Sequence, residues 1–417
     1  MQESIKQFYA SLSDDTKEEL RIYLERRFAA RNASPKVGVV FDVLHNCILR
    51  CRGCGTNAAF SRDMQRVSCA PTITQISQVF SKLKEYSHQT GNRIFVNIGG
   101  GEPFLRRDIL DILRLAAEYF GPENVGVDTN AAQEDSEQLL TEAMPFVSYI
   151  GTSINGLRDY HNWWAGNDDI DAFARAAATV RNLCKNPAFS GKIEVTSVAT
   201  KKNMAELPAL MQFLADLGIK QYSVHRAIPV GRMALHQDLI PDASDYLHLL
   251  ISLMHSAADT GLDFHMHHSI ESIHAALLLG MDTYSYDRIG NPDALSSIGI
   301  DPECNVVFDP WCTTGCWKQL SSGNLLTFPG TLDEMLHAPD SVFEKTAAFT
   351  SSGNRCRGCP MKCSGGSRIV AATHELCGRP VGAVSVQDIY TVMQAVDPAC
   401  PLYHKDRYQK YEDTGLY

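Results

Sequence analysis

The stretch VGVVFDVLHNCILRCRGC, residues 37–54, decides the fold. Residues 37–44 are apolar and rich in β-branched side chains, the composition of a buried strand. Directly behind them Cys47, Cys51 and Cys54 share one short loop with CxxxCxxC spacing. Three thiolates so placed can hold three irons of a four-iron cluster and leave the fourth without a protein ligand, open to chemistry. The same trio admits structural zinc, which wants a fourth ligand; His45 or Cys69 is then the candidate.

Working outward, further β-rich runs occur at 94–98, 125–129, 147–153, 193–199 and 221–226, separated by helical patterns. Such alternation predicts parallel βα units, and apolar strands buried on both faces suit a barrel or a doubly wound sheet. One helix is expected over 203–218, with Asn203 as N-cap, Leu207, Leu210, Leu214 and Leu217 on one face, and Gly218 just past its end. Strand and helix traces continue from 261 onward. There His265, His267, His268 and His274 read as core or cavity residues more readily than as metal ligands. Residues 1–36 read as a helical lead-in, with Leu20, Tyr23, Leu24 and Phe28 on one face behind Asp14 and Asp15, and with Pro35 closing it. Residues 284–380 lack periodicity and are rich in Gly, Ser, Pro and Cys, a second and smaller domain that metal crosslinks would have to hold together. Residues 381–417 look like a short helical tail. The expected domains are therefore 1–36, 37–283, 284–380 and 381–417.

The chain has 417 residues, 44% of them hydrophobic, enough for a large core. A formal charge of -10 argues against a nucleic-acid binder. No run approaches the ~20 apolar residues of a membrane span, and the N-terminus lacks a signal-peptide pattern. The 13 cysteines are closely clustered in a large chain. That usage suits metal in a reducing cytoplasm rather than disulfides.

The cysteine loop resembles the signature of the radical S-adenosylmethionine (radical SAM) superfamily. Gly99-Gly100-Gly101-Glu102-Pro103, following the strand at 94–98, is similar to that family's GGEP motif. Thr129-Asn130 stands where the family often has Thr-Asn-Gly, with Ala131 replacing the glycine. Ser153, Asn155 and Gly156, then His161 and Asn162, resemble a Ser-x-Asp-Gly…His-Asp segment, with Asn twice for Asp and Ala165 where Arg is usual. Pro229-Val-Gly231-Arg232 fits the family's exit from the sixth strand. The resemblance implies a partial (β/α)6 TIM-like barrel carrying a [4Fe-4S] cluster on Cys47, Cys51 and Cys54. It assigns Gly100, Gly101, Glu102, Asn130, Ser153, Asn155 and Arg226 to S-adenosylmethionine, with the Glu102 carboxylate accepting from the methionine ammonium.

Cys304, Cys312, Cys316, Cys356, Cys359, Cys363, Cys377 and Cys400 form a second group. It is similar to the SPASM extension of the same superfamily, which implies two auxiliary four-iron clusters at four thiolates each. Ser367 stands where a ligand cysteine is usual, and Cys363 comes early, so the pairing of ligands stays open; a zinc-ribbon-like module is the alternative. Cys69 and Cys184 are left over as inert thiols, with Cys69 a weaker candidate for a hydrogen-atom donor. The resemblance implies reductive cleavage of S-adenosylmethionine and oxidative modification of a peptide, or of a small molecule, by hydrogen-atom abstraction. A flavodoxin or ferredoxin would supply electrons. The 36-residue lead-in looks too short for a leader-recognition domain, so a peptide substrate would call for a separate recognition protein.

Overall fold

The computed structural model describes residues 2–32, 36–60, 70–267, 279–281, 297–345 and 383–393, together with residues 275, 373 and 376. Two helices, α1 (Gln2–Ser11) and α2 (Asp14–Asn32), lead in, with Leu20 and Leu24 fully buried. The first cysteine loop follows β1 (Lys36–Asp42) and includes the two-residue pairing of β2 (Asn46–Cys47) with β3 (Ala59–Phe60). Then α3 (Ile73–Thr90), β4 (Arg93–Gly99), α4 (Ile109–Phe120), β5 (Val125–Thr129), α5 (Ser136–Ala143) and β6 (Tyr149–Ser153) alternate. They are followed by α6 (Arg158–Ala165), α7 (Ala172–Cys184), the short α8 (Pro187–Ser190), β7 (Ile193–Ala199), α9 (Leu207–Asp216), β8 (Gln221–Arg226), α10 (Ala243–Thr260) and β9 (Asp263–His267).

Strands β1 and β4 through β9 lie side by side in chain order, every neighbouring pair parallel. On the other flank of β1 sits β10 (Ser297–Ile300), also parallel to it, and β11 (Asn305–Val307) and β12 (Ser321–Asn324) extend the sheet as antiparallel strands. The strands expected from sequence are present within two residues of their predicted ends. Past the boundary drawn at residue 284, β10, β11 and β12 continue the same sheet.

The helices start and stop where local chemistry dictates. Thr72 and Gln75 form a reciprocal capping box at the head of α3, and Gly91 at φ 72° ends it. Along α4, Ile109, Ile112, Leu113, Ala116 and Phe120 recur at three- and four-residue spacing and bury one stripe. Each large apolar side chain so buried contributes about 1.5–3 kcal/mol. The helix expected from Asn203 instead begins at Leu207. Asn203 is fully buried, its amide donates to Asn155 O at 2.6 Å and Val198 O at 2.9 Å, and its Oδ1 accepts from Thr200 N at 2.7 Å. The side chain that looked like a cap ties the exits of β6 and β7 together. Gly218 does end that helix, at φ 92°, with Ile219 N donating to Leu214 O at 3.1 Å.

The two faces of the sheet differ. Outward residues such as Val39, Phe41, Val96, Ile98, Val127 and Val195 are wholly buried under helices. Many inward positions are polar or glycine: Asp42 pairs across from Gly99, Asn97 from Gly126, and Gly151 from both Asp128 and Glu194. The glycines leave the interior room. A Cβ on Gly151 would stand 2.2 Å from Asp128 Oδ1 and 2.6 Å from the Tyr149 hydroxyl.

Candidate functional site

The cysteine loop and the ends of β4, β5, β6 and β7 enclose one cavity of about 220 Å³. Cys47, Cys51 and Cys54 all line it, with Gly100, Gly101, Asn130, Ser153 and Asn155. Sequence positions scattered over more than a hundred residues therefore meet in one place. Among the described residues no group of three or more His, Cys, Asp or Glu is close enough to hold a single ion. Three thiols spread around a shared cavity suit a multi-iron cluster instead.

The sulfurs are dressed by backbone and amide donors. Leu49 N lies 3.4 Å from Cys47 Sγ, Ala58 N 3.4 Å from Cys54 Sγ, and Asn130 Nδ2 3.6 Å from Cys47 Sγ. Donors to cluster sulfurs tune the reduction potential and settle negative charge. Burial pushes the Cys47 thiol well above its ordinary range and Cys51 up to about 12, so cationic iron is what would hold them as thiolates.

Arg232 clamps the loop from the far side of the sheet. Its Nε donates to Cys51 O at 2.7 Å, Nη1 to Ala58 O at 2.8 Å, and its backbone N to Cys54 O at 3.0 Å. Gly231, at φ 54°, lets this segment approach, since a Cβ there would stand 2.2 Å from Cys54 O. Arg50 N and Arg52 N donate to Ala165 O and Trp164 O, both at 2.9 Å, and Asn167 Nδ2 donates to Ile48 O at 2.8 Å. The glycine run meets the loop through its backbone: Gly101 N donates to Leu44 O at 2.6 Å and Glu102 N to Asn46 O at 2.9 Å. A Cβ on Gly101 would stand 2.1 Å from Asn46 O.

Two of the expected contacts do not line the cavity. Glu102 is fully buried beneath the cavity, where its carboxylate accepts from Asn130 N at 2.7 Å, Thr129 Oγ1 at 2.9 Å and Phe104 N at 3.2 Å. Burial lifts its pKa to about 7 against those three donors, and the side chain braces β4 to β5 rather than lining the cavity. Arg226 points to the helix side of the sheet, its guanidinium 5.3 Å from the Tyr246 ring centroid, because the inward position at that register belongs to His225. Asn155 lines the cavity while its Oδ1 accepts from Val198 N at 2.8 Å and its N–H donates to His161 Nδ1 at 3.0 Å. Asp128 and His161 also line the cavity. The inward alternation of β5 is the signal that could have found Asp128. Burial raises Asp128 to about 7 and lowers His161 to about 4, so the ring is neutral.

In the second group, Cys312 and Cys316 lie on adjacent short turns, Pro310–Thr313 and Gly315–Gln319, in an apolar cluster with Val307, Trp317 and Ile389. Cys304 packs in the main core instead, at φ 67°. Cys184, at the end of α7, is half-buried and away from the cavity. Cys69, Cys356, Cys359, Cys363, Cys377 and Cys400 lie outside the described residues, as do His268 and His274.

Residues 42–221 match the Radical SAM superfamily. This stretch is similar to a radical SAM domain. It holds the cysteine loop, the glycine run and every strand that shapes the cavity from β4 to β7. Pre-heme d1 synthase of Dinoroseobacter shibae is 24% identical over 202 residues, 48% of this chain. Fe-coproporphyrin III synthase of Methanosarcina barkeri is 23% identical over 197 residues, 46% of this chain. The chain spans 45% of the length of each of these relatives. Among solved structures, Streptococcus suis SuiB bound to S-adenosylmethionine superposes with a TM-score of 0.61 at 16% identity, covering 87% of this chain and 80% of SuiB. anSMEcpe with bound AdoMet gives 0.59 at 14% identity, covering 90% of this chain and 95% of that one. The shared fold thus reaches well beyond the matched residues 42–221. Among the described residues no helix is long and apolar enough to cross a membrane.

Proposed function

We propose that this chain binds a four-iron cluster through Cys47, Cys51 and Cys54 and cleaves S-adenosylmethionine reductively. The observation that carries the reading is the convergence of the three thiols on one cavity with Gly100, Gly101, Asn130, Ser153 and Asn155. Bound there, a four-iron cluster would supply the electron that cleaves the sulfonium, giving methionine and a 5′-deoxyadenosyl radical able to take a hydrogen atom from a substrate C–H bond. The chain's own residues do the rest. Arg232 and the backbone of 164–165 hold the ligand loop rigid, and the two glycines expose their backbone to the methionine end. Ser153 and Asn155 face the remainder of the cosubstrate, and Trp164, Ala165 and Val198 close the wall against water.

The substrate proposed is a peptide. Support comes from the fold shared over 91% of this chain with SuiB bound to its precursor peptide SuiA. A small-molecule reading is supported by the two relatives named for haem-type products. Cys304, Cys312 and Cys316, with the cysteines from 356 onward, are proposed to carry auxiliary clusters that take the electron back from the substrate radical. A flavodoxin or ferredoxin as electron donor and, for a peptide, a separate recognition protein are the proposed partners. The test is anaerobic reconstitution, with iron and sulfide counted and 5′-deoxyadenosine followed after dithionite reduction. Protein that carries zinc and forms no 5′-deoxyadenosine would sink the reading. Mass spectrometry of candidate peptides against candidate tetrapyrroles then separates the two substrate classes.

A further inference from the structure

One side chain in the cavity wall carries a proton that no acceptor among the described residues takes. His161 lies on α6, is 2% exposed, and lines the cavity together with Trp164 and Ala165 on the same helical face. Its Nδ1 is already bonded: the backbone N–H of Asn155 donates to it at 3.0 Å. A backbone N–H can only donate, so Nδ1 holds its lone pair. Burial lowers the ring's pKa to about 4 despite the nearby Asp171 carboxylate. The ring is therefore neutral, and its one proton sits on Nε2. Nε2 is buried and has no hydrogen-bond partner among the described residues. A buried donor left without an acceptor costs the folded state free energy, which an acceptor brought by a ligand would recover.

Asn155, which lines the same cavity, repeats the pattern. Its Oδ1 accepts from Val198 N at 2.8 Å, and its carbonyl accepts from the Asn203 amide at 2.6 Å. With Oδ1 fixed on β7, the Nδ2 donor lies on the other side of the amide, without a partner among the described residues. We propose that His161 Nε2 and Asn155 Nδ2 form a neutral two-donor seat for an oxygen acceptor of the bound cosubstrate, either its carboxylate or a sugar hydroxyl. The inference rests on the function proposed above. The bond from Asn155 N to His161 Nδ1 couples the two donors and fixes the ring's tautomer. Arg232, a cation lining the same cavity, directs Nε and Nη1 to the carbonyls of Cys51 and Ala58 instead. A neutral seat orients the oxygen by hydrogen-bond direction and adds no positive charge beside a cosubstrate that is itself a sulfonium.

The experiment measures equilibrium binding to the reconstituted full chain with no reductant present. The probes are S-adenosylmethionine and 5′-deoxy-5′-methylthioadenosine, which lacks the amino-acid end. His161→Asn keeps an acceptor near the place of Nδ1 and removes the Nε2 donor, whereas His161→Gln puts an amide N–H near the place of Nε2. His161→Asn should weaken S-adenosylmethionine about ten-fold, and His161→Gln should stay within about three-fold of the parent. A loss shared by methylthioadenosine places the acceptor on the sugar; a loss confined to S-adenosylmethionine places it on the carboxylate. Unchanged affinity in His161→Asn overturns the proposal. So does an equal loss in both variants, which would leave His161 as a support for the Asn155 backbone alone. A second measurement needs no variant. When the parent binds S-adenosylmethionine, the nitrogen-15 resonance of His161 Nε2 should move and its proton should exchange more slowly; an unmoved resonance overturns the seat. A reconstituted parent that binds no S-adenosylmethionine sinks the proposed function, and the seat with it.

Discussion

The two cysteine-bearing regions are built on different principles. Around Cys47, Cys51 and Cys54 the loop's carbonyls and amides are held by partners from distant strands: Arg232 from beyond β8, Trp164 and Ala165 from α6, and Gly101 after β4. Around Cys312 and Cys316 the backbone–backbone bonds among the described residues are short-range, and the longer links are side chains: Gln319 Nε2 donates to Val384 O at 3.0 Å, and Thr313 bonds to Asp42. Cys312 N donates to Asp309 O at 2.8 Å and Trp311 N to Asp309 Oδ1 at 2.9 Å, and the support is a small apolar cluster. The first loop is preorganised by the fold, before any metal arrives. The second has less to lean on, and crosslinks through its sulfurs would add what a small core lacks.

Replacing Cys47, Cys51 and Cys54 together by alanine should abolish 5′-deoxyadenosine formation while leaving Tm nearly unchanged, because the braces are to the backbone. A large drop in Tm would break the contrast. Gly101→Ala should lower the apo-protein's stability by roughly 3 kcal/mol or more in urea unfolding, since a Cβ 2.1 Å from Asn46 O forces backbone to move. Arg232→Ala removes donors at 2.7 Å and 2.8 Å from the loop carbonyls. Charged hydrogen bonds of this kind contribute about 1.5–3 kcal/mol, so iron retention under a chelator should fall roughly ten-fold, read by iron analysis. Amide hydrogen exchange on metal-free protein sharpens the contrast further. The amides of Arg50, Arg52 and Gly101 should stay protected while those of 310–319 exchange faster, and reconstitution should slow only the latter.

The smallest effect concerns the seam between the regions. Asp42, at the end of β1, is wholly buried; burial lifts its carboxyl to about 7 despite a hydrogen bond with Thr313, and Asp301 lies nearby. Its folded pKa is raised above the unfolded value of about 3.9, so the native state keeps a proton that the unfolded chain releases. Stability should fall as pH rises from about 4 to about 7 and then level off. Asp42→Asn should flatten that slope, measured as Tm against pH in metal-free protein. A slope of the opposite sign would show that the carboxylate is paired rather than merely buried.

Much of the fold was legible in the sequence because it rests on local chemistry. The period of two in the strands, the glycine after α9 and the acidic start of α2 each act within a few residues. The cysteine spacing and the glycine run could likewise be read as neighbours, since each follows its own strand. Asn203 misled for the same reason: as an N-cap it satisfied every local rule, yet its partners are Asn155 and Val198, brought near by sheet packing. Glu102 and Arg226 were read as ligand contacts from the resemblance to the radical SAM family, Glu102 through its GGEP-like glycine run. Only the register shows one folded under the cavity and the other turned toward Tyr246.

The sequence by itself determined the alternating elements, the CxxxCxxC loop and the order in which the strands are laid down. These follow from side-chain periodicity and short spacings, which the chain carries wherever it goes. Tertiary structure decided which side of the sheet each polar residue faces, that Arg232 reaches back 181 positions to Cys51, and that Trp163 gathers Arg52 and Lys202. A partner that distant leaves no local trace, because its energy is realised only once the sheet has closed the intervening chain.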